Sequence, residues 1–284
     1  MALDPDAVGA ESGPRRVTWQ SKDCIVYALG VGAGVDELAY TTDNTKGVEQ
    51  QVLPTYPVVL GIDPGIFKRF GTFDWAKLVH AEQGVELLRP LPTQGAVLVT
   101  TRIVDMFDKG KAALVVTGSE AVDEDTGEPM FRTRSAFFIG GAGGWGGDRG
   151  PSATWQAPDR VPDHTVTYPT RPEQALLYRL SGDRNPLHSD PAFARRAGFE
   201  RPILHGLCTF GFTGRALLHT LAGGEAGRLR GMDARFAAPV LPGDTLHIDI
   251  WTDGAGEALF RTRKDDGTVV LTNGRCRFDA DGAR

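Results

Sequence analysis

Cysteine is scarce in this chain of 284 residues, and basic charge is not in excess. The three cysteines, Cys24, Cys208 and Cys276, are far apart and odd in number, so they form neither a disulfide framework nor a paired-cysteine metal site. The formal net charge is −5, from 31 basic and 36 acidic side chains. General nucleic-acid-binding proteins carry a positive balance or a basic stripe. We therefore expect reduced, buried thiols and no nucleic-acid partner.

Long hydrophobic runs are also missing. Apolar stretches such as Tyr56–Ile62 and Ala112–Val116 are far too short to cross a bilayer. The segment Met1–Pro14 is polar and acidic and lacks the apolar stretch of a secretory signal, and the last four residues match no common targeting tag. With 41% apolar and 24% charged residues, the composition is that of an ordinary globular protein. A cytoplasmic protein with no membrane partner is expected.

Glycine is abundant, with 36 residues, and it is concentrated in one place. Seven of the eleven residues from 140 to 150 are glycine, which predicts a flexible linker. A phosphate-binding loop is the alternative, but it requires a Lys-Ser or Lys-Thr pair that is not found there. The predicted organisation is an N-terminal repeat over 1–139, a linker over 140–151 and a C-terminal repeat over 152–284.

The two halves of the chain resemble each other at a nearly constant offset. The segment around Tyr27 is similar to the segment around Tyr178, 151 residues later. The segment Val85–Pro92 is similar to Ala234–Pro242, where prolines recur after 149 and 150 residues. Two matches at nearly one offset favour an internal duplication over chance.

Hydrophobic periodicity predicts helices early and antiparallel strands late in each half. The predicted helices of the second half are Pro172–Leu180, Pro191–Ala197 and His205–Leu221. The predicted strands are Val85–Leu88, Ala96–Phe107, Ala112–Val122, Met130–Ile139, Arg228–Ala238, Thr245–Thr252, Leu259–Lys264 and Thr268–Phe278. Each half is therefore expected to be α+β, with one long helix wrapped by a curved antiparallel sheet.

The densest group of polar residues lies between two predicted helices of the second half. Asp183, Asn185 and His188 fall within six residues of one another. A carboxylate and an imidazole at this spacing can hold one water molecule between them, as general acid–base chemistry requires. The alternative is a turn built by Asn-Pro and Asp-Pro, and the local pattern alone favours neither.

A second signal, Arg201–Gly206, leads directly into the longest predicted helix. The N–H of Gly206 would lie at the helix N-terminus, where it can donate to a carbonyl oxygen that gains negative charge. A small residue required for packing is an equal alternative. His205 is expected to be structural, as a histidine before a helix more often is.

Other kinds of site fit these residues less well. A zinc site from His188, Asp190 and His205 lacks compact ligand spacing. A nucleophilic Ser181–His188 pair lacks the GxSxG context. The glycines of Gly30–Gly34 lack the strand–loop–helix pattern of a dinucleotide-binding loop. We therefore expect neither a metal nor a cofactor.

The run 178–211 closely resembles the 2-enoyl-CoA hydratase 2 family, the MaoC-like dehydratases, through Tyr178–Ala194 and Gly198–Gly211. Weaker similarity, at His80–Gln83 and Asp105–Gly110, links the chain to the two-domain eukaryotic-type members. The resemblance implies a double hot-dog fold. It also implies reversible hydration of trans-2-enoyl-CoA to (R)-3-hydroxyacyl-CoA, with the acyl-CoA thioester as partner, and a homodimer is a candidate assembly.

The resemblance also assigns residues. Asp183 and His188 match the catalytic pair of the family, Asn185 matches its supporting amide, and Gly206 matches the glycine whose N–H holds the thioester carbonyl. The positions that match contacts to the CoA ester are His80, Ala81, Lys109 and Phe236. Arg184, which lies in the polar loop, is a further candidate for binding the substrate or CoA. Some relatives have glycine at the position of Ala81. Because CoA is a polyanion, further candidates for its phosphates are Lys111, Arg195, Arg196 and Arg201.

The first half lacks the polar residues that form the candidate catalytic loop of the second half. When Tyr27 is placed on Tyr178, Asp183 falls on Gly32 and His188 falls on Glu37. Asn185 then falls on a second glycine, residue 34. We expect one active site per chain. We also expect the two glycines to leave room for an acyl tail, with a preference for medium, long or bulky enoyl-CoAs over the four-carbon ester.

Two other functions are compatible with a hot-dog fold. A hot-dog acyl-CoA thioesterase would direct water at the thioester carbon rather than at C3. A non-catalytic acyl-CoA-binding module would not need Asp183 and His188, and both are present. The Asp–Asn–His loop favours hydration over either alternative.

Overall fold

The computed structural model describes residues 3–151, 155–253 and 256–280. The first half contains the strands β1 (Glu11–Trp19), β2 (Leu78–Leu87), β3 (Gly95–Asp108), β4 (Ala112–Asp123) and β5 (Pro129–Gly140). The second half contains β6 (His164–Pro169), β7 (Leu229–Phe236), β8 (Thr245–Thr252), β9 (Glu257–Lys264) and β10 (Val269–Phe278). The helices are α1 (Ser21–Gly30), α2 (Leu38–Thr41), α3 (Pro57–Leu60), α4 (Gln174–Tyr178), α5 (Pro191–Arg196) and α6 (Gly206–Leu221).

Within the described ranges, the strands form one antiparallel ten-stranded sheet in the order β1-β3-β4-β5-β2-β7-β10-β9-β8-β6. The two halves join where β2 pairs with β7, with Val85 opposite Met232. From its outer edge to this junction, the first half reads 1-3-4-5-2 and the second reads 6-8-9-10-7. The two orders are equivalent, which supports the internal duplication.

The core lies between the sheet and α6. Every second residue of β3 is buried from Val97 to Ile103, as expected of a strand with one face on the core. Helix α6 is apolar on nearly all sides and is almost completely buried, so it is the central helix of the molecule. The fold is thus a double hot-dog, with a curved sheet around a central helix. In the described part of the chain, no helix combines the length and apolar character needed to span a bilayer.

The first half departs from the expectation of one long helix in each repeat. Its chain between β1 and β2 forms α1 and then only the single turns α2 and α3. The space is taken by α6, whose glycines allow close contact with the first half. A Cβ atom at Gly211 would lie 2.4 Å from Val31, and one at Gly214 would lie 2.3 Å from Thr55. The long helix of the second half therefore serves both repeats.

Sequence periodicity missed β1, β6 and the beginning of β2. The strands β1 and β6 are the two edges of the sheet, and most of their side chains are partly or fully exposed. An edge strand with few buried residues gives a weak alternating signal. The prediction of the remaining strands agrees with the structure to within about two residues at most ends.

The segment 140–151 was predicted to be a flexible linker, but its described residues follow a fixed path along the turn between β3 and β4. The buried carboxylate of Asp108 accepts hydrogen bonds from the N–H groups of Gly144 (2.8 Å) and Gly146 (2.7 Å). The Asp108 N–H donates to the Asp148 carbonyl at 2.7 Å. Trp145 packs against a small apolar cluster of the first half. Hydrogen bonds and packing therefore fix this connection, and glycine provides the N–H groups without side chains.

Candidate functional site

The polar loop predicted between helices connects two 3-10 turns, Arg179–Ser181 and Pro186–His188. Its conformation is held by local hydrogen bonds. The Asp183 carboxylate accepts from the Asn185 N–H at 3.1 Å, and the Asn185 side-chain oxygen accepts from the Leu187 N–H at 3.0 Å. The side chain of Asn185 thus caps the turn that carries His188.

His188 is 8% exposed and has a defined tautomer. Its Nδ1 lies 2.9 Å from the Ile203 carbonyl oxygen. A carbonyl can only accept, so Nδ1 carries the proton and Nε2 keeps a free lone pair. Burial lowers the pKa of His188 below its ordinary value of 6.5. The side chain is therefore a neutral imidazole that can accept a proton through Nε2.

His205 connects the polar loop to the beginning of α6. Its ring stacks on that of His188, with centroids 3.7 Å apart and planes at 29°. Its Nε2 donates to the Asp183 carbonyl at 3.3 Å. Burial first, and then the charge that His188 can carry, lower the pKa of His205 to about 3. A neutral His205 therefore supports both Asp183 and His188. The sequence had predicted only a structural role for this residue.

Gly206 follows His205 and is the first residue of α6, so its N–H lies outside the hydrogen-bond ladder of the helix. A Cβ atom at Gly206 would lie 3.0 Å from the Phe236 ring, so glycine lets this ring pack closely against the helix N-terminus. His80 packs 5.0 Å from Phe236, between centroids. The first half thus contributes one wall beside the helix N-terminus.

His80 lies at an irregular point of β2. The pairing with β5 shifts register between His80 and Glu82, which makes Ala81 the extra residue of a β-bulge. Bulges redirect side chains, and here the His80 ring lies between Phe137 and Phe236. Burial lowers the pKa of His80 to about 4. The His80–Ala81 pair therefore presents a neutral ring to the wall of the site.

The acidic and imidazole groups lie close enough to act together. One ligand atom each from Asp183, His188 and His205 lies within 4.8 Å of the other two. Asp190, which was considered for a zinc site, instead caps α5 by accepting from the Ala192 N–H at 2.7 Å. The carboxylate near the two histidines is that of Asp183 and not that of Asp190. One ring nitrogen of His188 and one of His205 already form hydrogen bonds with backbone carbonyl oxygens. That no metal is needed stays a prediction.

Lys109 and Arg184 lie on different loops. Arg184 is exposed and follows Asp183 directly. Lys109 lies in the turn between β3 and β4, where its Nζ donates to the Arg149 carbonyl and lies 5.5 Å from the Phe107 ring centroid. Lys109 therefore belongs to a group at the end of the sheet rather than to the polar loop.

The packing does not support a nucleophilic serine at Ser181 or a dinucleotide-binding loop at Gly30–Gly34. The Oγ of Ser181 lies 3.7 Å from the position of a Cβ at Gly30, so Ser181 faces α1. Gly30 ends α1, and its Cβ position lies 3.2 Å from the Tyr178 Cα. This glycine permits two helices to approach and does not form a dinucleotide-binding loop.

In the first half, the position equivalent to the polar loop is occupied by a side chain of α6. A Cβ atom at Gly32 would lie 2.3 Å from the Phe212 ring. Next to it, Glu37 binds Arg215, with Nε and Oε1 3.0 Å apart, and also binds His219. The expectation that Gly32 leaves room for an acyl tail is therefore wrong, because an aromatic ring of α6 occupies that room.

Two family models match this chain, one in each half. The MFE-2 hydratase 2 N-terminal domain matches residues 17–141, and the MaoC like domain matches residues 153–274. Among curated proteins, the 3-hydroxyacyl-thioester dehydratase Y of Mycobacterium tuberculosis is 47% identical, over 99% of this chain and 100% of that protein. The enoyl-CoA hydratase ChsH3 of the same organism is 44% identical, over 96% and 98%.

A solved structure has the same fold over the whole chain. The MaoC-like dehydratase from Phytophthora capsici superposes with a TM-score of 0.88 at 34% identity, covering 99% of this chain and 100% of that chain. Both repeats and the order in which they occur are thus common to this chain and its relatives. The protein belongs to the MaoC-like dehydratases, in the two-repeat form that begins with an MFE-2 hydratase 2 N-terminal domain.

Proposed function

We propose that the protein adds water to trans-2-enoyl-CoA to give (R)-3-hydroxyacyl-CoA and catalyses the reverse dehydration. The observation that carries this proposal is the placement of Asp183 and His188 within 4.8 Å of each other, in a loop joined by His205 to the N-terminus of α6. The names of two close relatives, a 3-hydroxyacyl-thioester dehydratase and an enoyl-CoA hydratase, support the same reaction.

The first step is the attack of water on C3 of the enoyl group. A carboxylate oxygen of Asp183 and a ring nitrogen of His188 lie within 4.8 Å of each other. One water molecule between them can form a hydrogen bond with each. The free Nε2 of His188 accepts a proton from this water as the C3–O bond forms. Such a positioned base contributes roughly 10²–10⁴ in rate.

The second step places negative charge on the thioester oxygen. The electron pair of the C2=C3 bond moves toward the carbonyl and forms an enolate. The Gly206 N–H donates to the enolate oxygen, and one such donor contributes roughly 10²–10³ in rate. Protonated His188 then returns the proton to C2, so that one water molecule has been added and the base is regenerated.

A panel of enoyl-CoA thioesters tests the proposal. Hydration removes the absorbance of the conjugated enoyl group without releasing a thiol. Free CoA, detected with a thiol reagent, would instead identify a thioesterase. Coupling the product to an (S)-specific 3-hydroxyacyl-CoA dehydrogenase should give no NADH, and a strong NADH signal would contradict the (R) configuration. We further propose that CoA acts only as part of the substrate, with no separate cofactor. The homodimer and the cytoplasmic location stay predictions.

A further inference from the structure

Two buried polar atoms next to the polar loop lack a hydrogen-bond partner among the residues that the structure describes. They are the hydroxyl oxygen of Tyr178 and Nδ1 of His205. Each of these residues is 1% exposed. Their rings are in contact, with centroids 4.9 Å apart and planes at 54°. A buried polar group without a partner is costly, so the two atoms require an explanation.

The two atoms are of complementary kinds. Nε2 of His205 donates to the Asp183 carbonyl oxygen, so it carries the proton of the neutral ring. Nδ1 therefore has a free lone pair and can only accept. Burial raises the pKa of Tyr178 well above its ordinary value, which keeps the phenol protonated and able to donate. A buried acceptor and a buried donor thus belong to two rings in contact.

Packing fixes the ring of Tyr178 in the core. A Cβ atom at Gly30 would lie 3.2 Å from the Tyr178 Cα and 3.6 Å from its ring, so the end of α1 packs directly on this residue. The Tyr27 ring lies 6.1 Å from the Tyr178 ring between centroids. The fold therefore sets the position of the hydroxyl, and it places this group beside His205.

One water molecule can join such a pair, because it can accept from the phenol and donate to the imidazole. A donor at Nδ1 favours the tautomer of His205 that carries its proton on Nε2. That proton is the one held by the Asp183 carbonyl, and the same ring stacks on His188. A donor at Nδ1 thus acts on both residues of the proposed catalytic pair.

We propose that Tyr178 is a positioning residue, which holds His205 in its functional tautomer through one buried water molecule. This water is distinct from the one that attacks C3. The effect on rate rests on the proposed function, in which Asp183 and His188 hold the reacting water. The bridge itself belongs to the protein without substrate, so it can be tested independently of any reaction.

The internal duplication supplies a matched control. Tyr27 occupies the equivalent position of the first repeat and is also completely buried. Its hydroxyl lies 3.0 Å from the Cβ position of Gly211, which is roughly 9 Å along α6 from His205. Tyr178→Phe and Tyr27→Phe each remove one buried hydroxyl and keep the aromatic ring. The comparison therefore separates an effect on the rate from a general effect on packing.

Steady-state kinetics with trans-2-decenoyl-CoA test the positioning role. Tyr178→Phe should lower kcat about tenfold and leave KM within about twofold, because a small misplacement of the reacting groups costs rate rather than binding. Tyr27→Phe should leave both constants at the wild-type values. The double variant Tyr178→Phe/His205→Phe should have the kcat of His205→Phe alone, because the hydroxyl acts only through the imidazole. Equal kcat for the two tyrosine variants, or independent losses in the double variant, would overturn the inference.

Nitrogen NMR of isotope-labelled histidine tests the bridge without turnover. In the wild-type protein, Nδ1 of His205 should have the chemical shift of a hydrogen-bonded acceptor, and the ring proton Hε1 should show a nuclear Overhauser effect to a bound water. Tyr178→Phe should move the Nδ1 shift to that of a free acceptor, and Tyr27→Phe should not.

The wild-type spectrum decides the question even where Tyr178→Phe fails to fold. An Nδ1 that has the shift of a free acceptor in the wild-type protein would overturn the inference, whether or not hydration occurs. A hydrogen-bonded Nδ1 that depends on Tyr178, in a protein that hydrates no enoyl-CoA, would overturn the proposed function and leave the bridge standing.

Discussion

Tyr27 and Tyr178 occupy equivalent positions of the two repeats, and their rings lie 6.1 Å apart between centroids in the shared core. Both side chains are almost completely buried. Next to them, the Gln174 side-chain amide donates to the Gly30 carbonyl at 2.6 Å, which joins α4 to the end of α1. The duplicated segments thus pack on each other, and the two repeats form one structural unit in which only the second retains the polar loop.

The first prediction concerns Asp183 and His188, the two residues that we propose hold the reacting water. Asp183→Asn and His188→Gln should each lower kcat at least about 100-fold, because the first removes the carboxylate that orients the water and the second removes the base that accepts its proton. Steady-state kinetics with an enoyl-CoA substrate measure the effect. Thermal unfolding provides the control, since both residues lie in a loop. Either variant with near wild-type turnover and an intact fold would contradict the assignment.

The second prediction concerns the pH dependence of kcat/KM. His188 must be neutral to accept a proton, and burial lowers its pKa below 6.5. The rate should therefore stay constant as the pH falls through 6.5 and decrease only at lower pH. Measurement of kcat/KM over this range with a pH-stable thioester gives the midpoint. A midpoint at or above 6.5 would contradict the neutral, buried imidazole.

The third prediction concerns His205 as a positioning residue. His205→Phe keeps a ring against His188 but removes the N–H donor to the Asp183 carbonyl. We expect kcat to fall about 10- to 100-fold with little change in KM, because a small misplacement of the reacting groups is enough for such a loss. His205→Gln, which can supply an N–H, should recover part of the rate. A purely structural role would instead lower thermal stability and leave kcat of the folded enzyme unchanged.

The fourth prediction concerns the ion pair that joins Glu37 of the first half to Arg215 of α6. Arg215 is 4% exposed and binds Glu37, so Glu37→Gln leaves a buried guanidinium without its counter-ion. Breaking a buried pair in this way costs about 3–5 kcal/mol. Urea unfolding at neutral pH should show this loss. Glu120→Gln, which breaks an exposed pair with Arg132, is the control and should cost less than about 1 kcal/mol.

The same pair makes acid stability depend on Glu37. Burial alone would raise the pKa of Glu37, but hydrogen bonds from His219 and Arg215 lower it from 4.5 to about 2. An unfolded chain binds this proton at higher pH than the folded protein does. The stabilisation is therefore complete above pH 4.5 and is lost as the pH falls toward 2. Glu37→Gln should have a flatter dependence in this range, and a parallel decline of both proteins would contradict the role of Glu37.

Local sequence patterns predicted the elements and residues that are local in the chain. The bounds of α6 and β8 follow from their own periodicity. Asp183, His188 and Gly206 lie in two short polar segments, but the resemblance to the family, and not the local pattern, assigned their roles. Contacts between distant segments gave no such signal. Glu37 and Arg215 are 178 residues apart, and no pattern within either segment indicates their pairing. The same applies to His80 and Phe236, which meet only because β2 and β7 are neighbours.

The last prediction compares two glycines that sequence reasoning treated alike. Gly32 has a φ of +84°, and its Cβ would lie 2.3 Å from the Phe212 ring. Gly32→Ala should therefore destabilise the protein by roughly 2–4 kcal/mol, from backbone strain and overpacking. Gly34 has nothing within 4 Å of its Cβ position, and Gly34→Ala should change stability by less than about 0.5 kcal/mol.

Urea unfolding of both variants measures this difference, and the rate ratio between long and short enoyl-CoA substrates tests its functional side. Because Phe212 and not an acyl tail occupies the space at Gly32, neither substitution should change that ratio in the folded enzyme. Titration with a tight-binding inhibitor should give one molecule per chain. Selective loss of long substrates in Gly32→Ala, or two inhibitor molecules per chain, would mean that the first half still opens a pocket where α6 now packs.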